Sequence, residues 1–255
     1  MSLIASPARR PDSSGRAIGL PALAGLAAAA LLLAATFGWF AHAGLARDGT
    51  PRAFDGFQQV RLKTIQAQLD QVRGPYVVVL GDSHAERLYL QSLCGLPVVN
   101  AGLSGATLSD VLDLVRKITP PRKAATVLLS VGTNDIWVKR APETAEAESS
   151  FRSGLTALKQ RLSAWSERRA LIAIPPVADK EEALFPRSAA TRYSGMLAQS
   201  CEAEHCAYFD LFGGAESGPE RRSAFSDGVH LRDYARFVQS RETEICRRLG
   251  LAPER

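Results

Sequence analysis

The sequence reads as an α/β sandwich built on a mostly parallel sheet. Two observations carry that reading: five short apolar runs of strand length, and amphipathic helical stripes that separate most of them. A third is positional, because three of four polar clusters stand directly after predicted strands, where open parallel sheets gather their ligands. With 255 residues, 46% hydrophobic and 22% charged, the chain suits one ordinary folded domain plus extra segments, which excludes wholesale disorder and fibrous repeats.

The first element precedes the domain. No formally charged residue occurs between Arg16 and Arg47, and the core from Ile18 to Ala41 consists mostly of Ala, Leu and Gly. A bilayer needs about 20 apolar residues, whereas the apolar region of a cleaved secretory signal has about 7 to 15. Residues 1–16, with Arg9, Arg10 and Arg16, therefore read as a basic cytoplasmic leader. Residues 17–43 read as one N-terminal transmembrane helix, a signal anchor that puts the remainder outside the cytoplasm. Trp39 and Phe40 would lie at the outer headgroup level. Ala41-His42-Ala43 has the small-x-small pattern of a signal peptidase site, so a cleaved signal peptide and a secreted domain are the alternative. Residues 44–55 mix Gly, Pro, Arg and Asp without apolar period and read as a linker, which leaves 56–255 for the domain.

Within the domain the predicted strands are 76–80, 97–100, 125–131, 170–174 and 207–211, each an apolar run fit for burial on both faces. Leu108, Val111, Leu112 and Val115 form one helical stripe, and Phe151, Leu155, Leu158, Leu162 and Trp165 a second. Tyr234, Phe237, Val238, Ile245 and Leu249 form a third, closed by Gly250. Net charge is +5, but the first 50 residues hold four Lys/Arg against two Asp/Glu, so the rest carries only +3. That balance, the lack of like-charge runs and 7% aromatic content argue against a nucleic-acid partner.

Four polar clusters carry the chemistry. Gly81-Asp82-Ser83-His84 follows the first strand and precedes a helix expected from Ala85. A serine at such a turn can project its hydroxyl above the sheet while its N–H, an orphan donor at a helix start, faces an oxyanion. Ser and Asp are also ordinary N-caps, which is the plainer reading of this cluster alone. Asn100-Ala101-Gly102-Leu103-Ser104-Gly105 and Gly132-Thr133-Asn134-Asp135 follow the next two strands. Either loop could be simple turn chemistry, or could bring backbone N–H groups and the Asn134 amide to a substrate oxygen. The fourth, Asp227-Gly228-Val229-His230, precedes the last helical stripe and pairs an imidazole with a carboxylate that can fix its tautomer. Of the four histidines, His42 lies in the apolar segment, His205 lies between cysteines, and His84 is expected to direct its ring elsewhere, so His230 remains as the base.

G-D-S, N-A-G-L-S-G, G-T-N-D and D-G-V-H occur here in the order found in the SGNH, or GDSL-type, hydrolases, which residues 76–250 resemble. The resemblance implies a three-layer α/β/α sandwich with a flavodoxin-like, mostly parallel five-stranded sheet, and makes 56–255 a catalytic domain. It implies Ser83 as nucleophile, Asp227 and His230 as the rest of a triad, and an oxyanion hole of the Ser83 N–H, Gly105 and Asn134, with no cofactor. Gly105 rather than Gly102 follows from the family's N-x-x-x-x-G pattern. His84 stands where many relatives have Leu, so a lipase label does not transfer with the nucleophile. The absence of G-x-S-x-G argues against the α/β-hydrolase elbow.

The expected activity is serine esterase chemistry on O-acyl esters, with acylated envelope saccharides suggested by the compartment and O-acetyl groups the simplest case. An O-acyltransferase with the same triad, a lipase or thioesterase, and an idle saccharide-binding module are the rivals. Trp137 and Phe185 fall in loops after strands and could line a pocket. Cys201, Glu204, His205 and Cys206 lack the second ligand pair of a structural zinc site, so a Cys201–Cys206 disulfide is the better reading in an oxidising compartment. Cys94 and Cys246 are left as either a pair or buried thiols, and the sequence carries no mark of oligomeric state.

Overall fold

Alternation along each strand decides which layer its side chains enter. In the computed structural model, which describes residues 53–201, 206–216 and 224–251, the first strand β1 (Val77–Gly81) is buried along its whole length. Val78 and Leu80 point to one face and Val77 and Val79 to the other. The leader and anchor readings over 1–43 lie outside the described residues, as does the linker reading up to residue 52. Among the described residues no helix is long and apolar enough to cross a membrane.

Helix α1 (Ala53–Gln71) begins inside the segment read as linker. After β1 come the one-turn helix α2 (Ser83–Glu86), β2 (Ser92–Leu93), β3 (Leu96–Gly102), α3 (Leu108–Lys117) and β4 (Thr126–Ser130). Then follow α4 (Ala145–Leu162), β5 (Arg169–Ile172), α5 (Arg187–Gln199), β6 (Cys206–Phe209), α6 (Tyr234–Gln239) and α7 (Glu242–Arg248). The sheet has six strands in the order β2-β3-β1-β4-β5-β6. Five of them are parallel and follow the flavodoxin-like order, and β2 adds a short antiparallel edge through Ser92↔Pro97 and Leu93↔Leu96. The expectation of five strands is therefore corrected to six. Two residues are too few to show a period, so β2 leaves no pattern in the sequence.

Ile65 and Leu69 of α1, the α3 and α4 stripes, and Ala189, Tyr193, Met196 and Leu197 of α5 pack one face of the sheet. Ala85, Leu88, Tyr234, Val238, Ile245 and Leu249 pack the other. This is the three-layer sandwich expected. The third stripe is broken at Ser240 and Arg241 into two helices rather than one. Helix α3 starts on a capping box in which Thr107 and Asp110 exchange side-chain and backbone bonds, a device worth about 1 kcal/mol. Chain order reverses between β1, whose successor lies on one side, and β4 on the other, which opens a crevice at their carboxyl ends.

Both disulfides close within this frame. Cys201 and Cys206 join the end of α5 to the start of β6 as expected, and Cys94 and Cys246 join the β2–β3 turn to α7. The open question over Cys94 and Cys246 is thereby resolved as a pair.

Candidate active site

The crevice is assembled from three loops and one hairpin-like excursion. Gly81, at φ +147°, ends β1 against β4 so closely that a Cβ would collide with the Ser130 carbonyl. Asp82 then caps α2, its carboxylate accepting from the His84 N–H at 2.9 Å and from the Thr133 N–H at 3.3 Å. Helix α2 thus starts at Ser83, two residues earlier than expected. Ser83 is 7% exposed.

Asp227 to His230 form the tip of a loop closed by the Phe225↔Leu231 bridge and by the Ser226 N–H donating to the His230 carbonyl at 2.8 Å. Gly228, at φ +96°, turns the tip, and its carbonyl accepts from the Ala178 N–H at 2.7 Å. Across the crevice His230 Nε2 lies 2.8 Å from Ser83 Oγ, and His230 Nδ1 lies 2.8 Å from Asp227 Oδ2. The second oxygen of Asp227 accepts from the N–H groups of Val229 and His230 at 3.0 and 2.8 Å. Desolvation pushes the Asp227 carboxyl up, but these backbone and ring hydrogen bonds outweigh it and hold the group well below the usual carboxylate range. Asp227 is therefore ionised when the imidazole needs it. Arg87 Nη1 stands 3.4 Å from the same Oδ2.

The N-A-G-L-S-G stretch divides into scaffold and site. Asn100 Nδ2 donates to the carbonyls of Ala85, Glu86 and Leu88 at 3.0 to 3.2 Å, while its Oδ1 accepts from the Gly102 N–H at 3.0 Å. A Cβ on Gly102 would run into the Glu86 backbone, so that glycine exists to seat α2 on β3. Gly105, at φ +77°, lies beyond the strand. Among the described residues neither its N–H nor that of Ser83 donates to a protein acceptor. Asn134 Nδ2 donates to the Ala106 carbonyl at 2.9 Å, which draws its loop onto that of Gly105 and leaves one amide hydrogen uncommitted. Asp135 completes the stitching by accepting from the Leu108 N–H at 3.0 Å, and burial lifts its carboxyl to about 6. Through Asp82–Thr133 and Asn134–Ala106 the three loops are tied to one another, and Ser83 is, among the described residues, the serine whose hydroxyl meets an imidazole.

His84, expected to point elsewhere, is in fact part of this site. Its ring is buried 5.3 Å from that of His230, centroid to centroid, and its Nδ1 lies 2.7 Å from Tyr234 Oη. In the sequence Tyr234 reads as a core position in a helical stripe and Asp82 as a cap, and neither carries a local mark of the site. A buried tyrosine hydroxyl requires a partner, which is the signal that a tyrosine in an apolar stripe offers. Of the two aromatics proposed as pocket lining, Phe185 lines a small cleft with Ile136 and Pro176, and Trp137 lies half-buried beneath Lys139.

The family model for the GDSL-like Lipase/Acylhydrolase family matches residues 65–234. The chain belongs to that family. It is a carboxylic ester hydrolase of the GDSL type, and several solved structures share its fold. A candidate platelet activating factor from Streptococcus pneumonia is 20% identical with a TM-score of 0.60, over 74% of this chain and 93% of that one. A lipase/acylhydrolase from Enterococcus faecalis is 20% identical with a TM-score of 0.53, over 67% and 97%. A variant of an acetyl xylan esterase from Geobacillus stearothermophilus is 17% identical with a TM-score of 0.52, over 72% and 98%. Comparison of the sequence with curated proteins gives no match.

Burial gives this GDSL-type site an acid-sensitive component. Desolvation first, then the nearby charges of His230 and Arg87, pull the His84 imidazole down from 6.5 to about 3. The native state refuses a proton that the unfolded chain accepts, so this part of the stability is complete above pH 6.5 and is lost as pH falls toward 3. Asp82 works in the opposite sense. Burial raises its carboxyl from 3.8 to about 7, giving stability that is full below pH 3.8 and is lost as pH rises through 7. His84→Leu removes the first contribution only. On acidification from pH 6.5 to pH 4, urea unfolding should show the variant losing less stability than the wild type, by about 3 kcal/mol. Equal losses in the two proteins would mean that His84 is protonated in the native state.

Proposed function

We propose that the protein is an extracytoplasmic serine esterase, tethered by its N-terminal segment, that removes O-acyl groups, O-acetyl in the simplest case, from envelope saccharides. The observation that carries this reading is the continuous run from Asp227 through His230 to Ser83, with 2.8 Å at each link. Ser83 Oγ attacks the ester carbonyl while His230 Nε2 takes its proton, and the developing oxyanion meets the uncommitted N–H groups of Ser83 and Gly105 and the Asn134 amide. Asp227 holds the Nδ1 proton of the imidazolium. Collapse of the tetrahedral intermediate returns the proton to the departing sugar oxygen, and water activated by His230 then frees the acid from Ser83.

The uncharged stretch 17–43 behind Arg9, Arg10 and Arg16 supports the tether, and two disulfides are what an oxidising compartment favours. The substrate class takes support from the fold shared with an acetyl xylan esterase and from the compartment. The test is a panel of O-acetylated oligosaccharides and nitrophenyl esters of increasing chain length, run with and without an acceptor saccharide. Release of free acetate without transfer to the acceptor is expected; preference for long acyl chains would make it a lipase or thioesterase, and acetyl transfer an acyltransferase. Fractionation of expressing cells should place the full chain in membranes, whereas a soluble product beginning near Gly44 would make the segment a removed signal.

Asn134→Ala should lower kcat by about 10²-fold with little change in KM, the loss typical of one oxyanion donor. An unchanged kcat would remove the amide from the oxyanion hole and leave it only its bond to Ala106.

A further inference from the structure

A second link, parallel to the one between Ser83 and His230, runs beneath it through residues that the triad does not include. His84 follows the nucleophile in the chain, and Leu231 follows the base. Tyr234 Oη touches both: it lies 2.7 Å from His84 Nδ1 and accepts from the Leu231 N–H at 3.1 Å. All three groups are buried, with His84 at 1%, Leu231 at 3% and Tyr234 at 3% exposure. The ring formed by Ser83, His84, Tyr234, Leu231 and His230 is thus closed by the Ser83 Oγ to His230 Nε2 contact.

Hydrogen counting fixes the direction of the bonds. The tyrosine oxygen already accepts from Leu231, and its single proton can satisfy His84 Nδ1; the reverse arrangement leaves the buried hydroxyl with no acceptor. The His84 proton then sits on Nε2, which has no partner of its own. Burial keeps this imidazole neutral, so it remains an acceptor while the neighbouring His230 gains and loses a proton. We infer that His84 and Tyr234 are positioning residues for the hydrolysis: their hydrogen bond locks the α2 turn to the His230 loop and sets the register between Ser83 Oγ and His230 Nε2. The reason such a device is needed is visible in the loop itself. Asp227 is seated by the N–H groups of Val229 and His230, but its side chain is 47% exposed and Arg87 beside it is also half in solvent, so the buried Tyr234 contact adds a hold on the loop for which water does not compete.

This inference rests on the reading of Ser83, His230 and Asp227 as the triad. It is tested in the full chain by the hydrolysis of p-nitrophenyl acetate and the rate of Ser83 labelling by a fluorophosphonate. Tyr234→Phe removes only the hydroxyl, and His84→Leu removes the acceptor while filling the space. Each should lower kcat and the labelling rate by about 10- to 100-fold, the scale of a misplaced catalytic group, with KM within about twofold of wild type. His84→Asn places a carbonyl oxygen near the position of Nδ1 and should recover most of the loss, which a merely space-filling role would not predict. Folding of each variant is checked by circular dichroism. Should Tyr234→Phe not fold, the Leu and Asn variants at His84 decide the question by themselves. Folded variants with wild-type kcat and labelling overturn the inference and leave the triad standing, as does equal activity of His84→Leu and His84→Asn. A wild-type protein that neither hydrolyses the ester nor labels at Ser83 overturns the triad reading and this one with it.

Discussion

Ser83→Ala should abolish both ester hydrolysis and fluorophosphonate labelling, and should do so in a protein that still folds. The substitution removes one oxygen from a residue only 7% exposed, at the first position of a one-turn helix whose cap belongs to Asp82, so the backbone of the turn is untouched. No other serine among the described residues has its hydroxyl against an imidazole, which is why labelling should be lost completely and turnover should fall to a residual level that forms no acyl-enzyme. The proposed oxyanion donors, the N–H groups of position 83 and Gly105 and the Asn134 amide, stay in place in the variant. Residual catalysis of about 10³-fold over water is what such donors and binding give on their own, far below the wild-type rate. His230→Ala should fall to a similar level, because nucleophile and base act as one unit and their losses do not add. Retention of labelling by Ser83→Ala would show another nucleophile. Labelling of the wild type without turnover of any ester would point to a serine that is activated but lacks its substrate.

What the sequence disclosed follows from how far each signal reaches along the chain. The central strands are continuous apolar runs because both their faces are buried, and Val77 to Leu80 and Val127 to Leu129 show this without any tertiary knowledge, whereas the outer strands Leu96–Gly102 and Cys206–Phe209 are only partly covered. Ser83, Asn134, Asp227 and His230 are legible because each belongs to a short local pattern, Ser83 and Asn134 after a strand and Asp227 and His230 in the loop before a helix. Gly102 and Gly105 are told apart in the sequence only by the family's N-x-x-x-x-G pattern; the packing of Glu86 against the first supplies the physical difference between a seating role and a free amide. His84 and Tyr234 are 150 residues apart, and nothing local to either announces the other. Asp82 is the same kind of case. As a cap it is ordinary, but its second oxygen reaches across to the Thr133 N–H, so it also fixes the Asn134 loop to the nucleophile turn. Long-range pairs of this kind need coordinates, and they are what gives the short motifs their relative geometry.

Opening the Cys94–Cys246 bridge should cost far more stability than opening Cys201–Cys206. The first joins residues 152 apart in sequence and the second residues 5 apart, and the entropy that a crosslink removes from the unfolded chain grows with the loop it closes. On that scale the long bridge contributes about 5 kcal/mol and the short one about 2 kcal/mol. A total stability of about 5 to 15 kcal/mol makes the first loss serious and the second tolerable. The long bridge also has a place in the site's support. Cys94 lies in the β2–β3 turn, where its N–H donates to Glu242 Oε1 at 2.7 Å, so bond and crosslink together hold α7 to the sheet edge. Helix α7 follows α6, which carries Tyr234, and Tyr234 holds the loop of His230. A Cys94→Ala/Cys246→Ala double variant should therefore unfold at markedly lower urea than a Cys201→Ala/Cys206→Ala double variant, with activity falling along the same transition. Measured at a temperature and denaturant concentration where it is still folded, it should keep most of its kcat, because neither sulfur touches the reacting atoms. Equal unfolding midpoints for the two double variants would show that loop length does not govern these bonds and that residual structure already confines Cys94 and Cys246 in the unfolded chain.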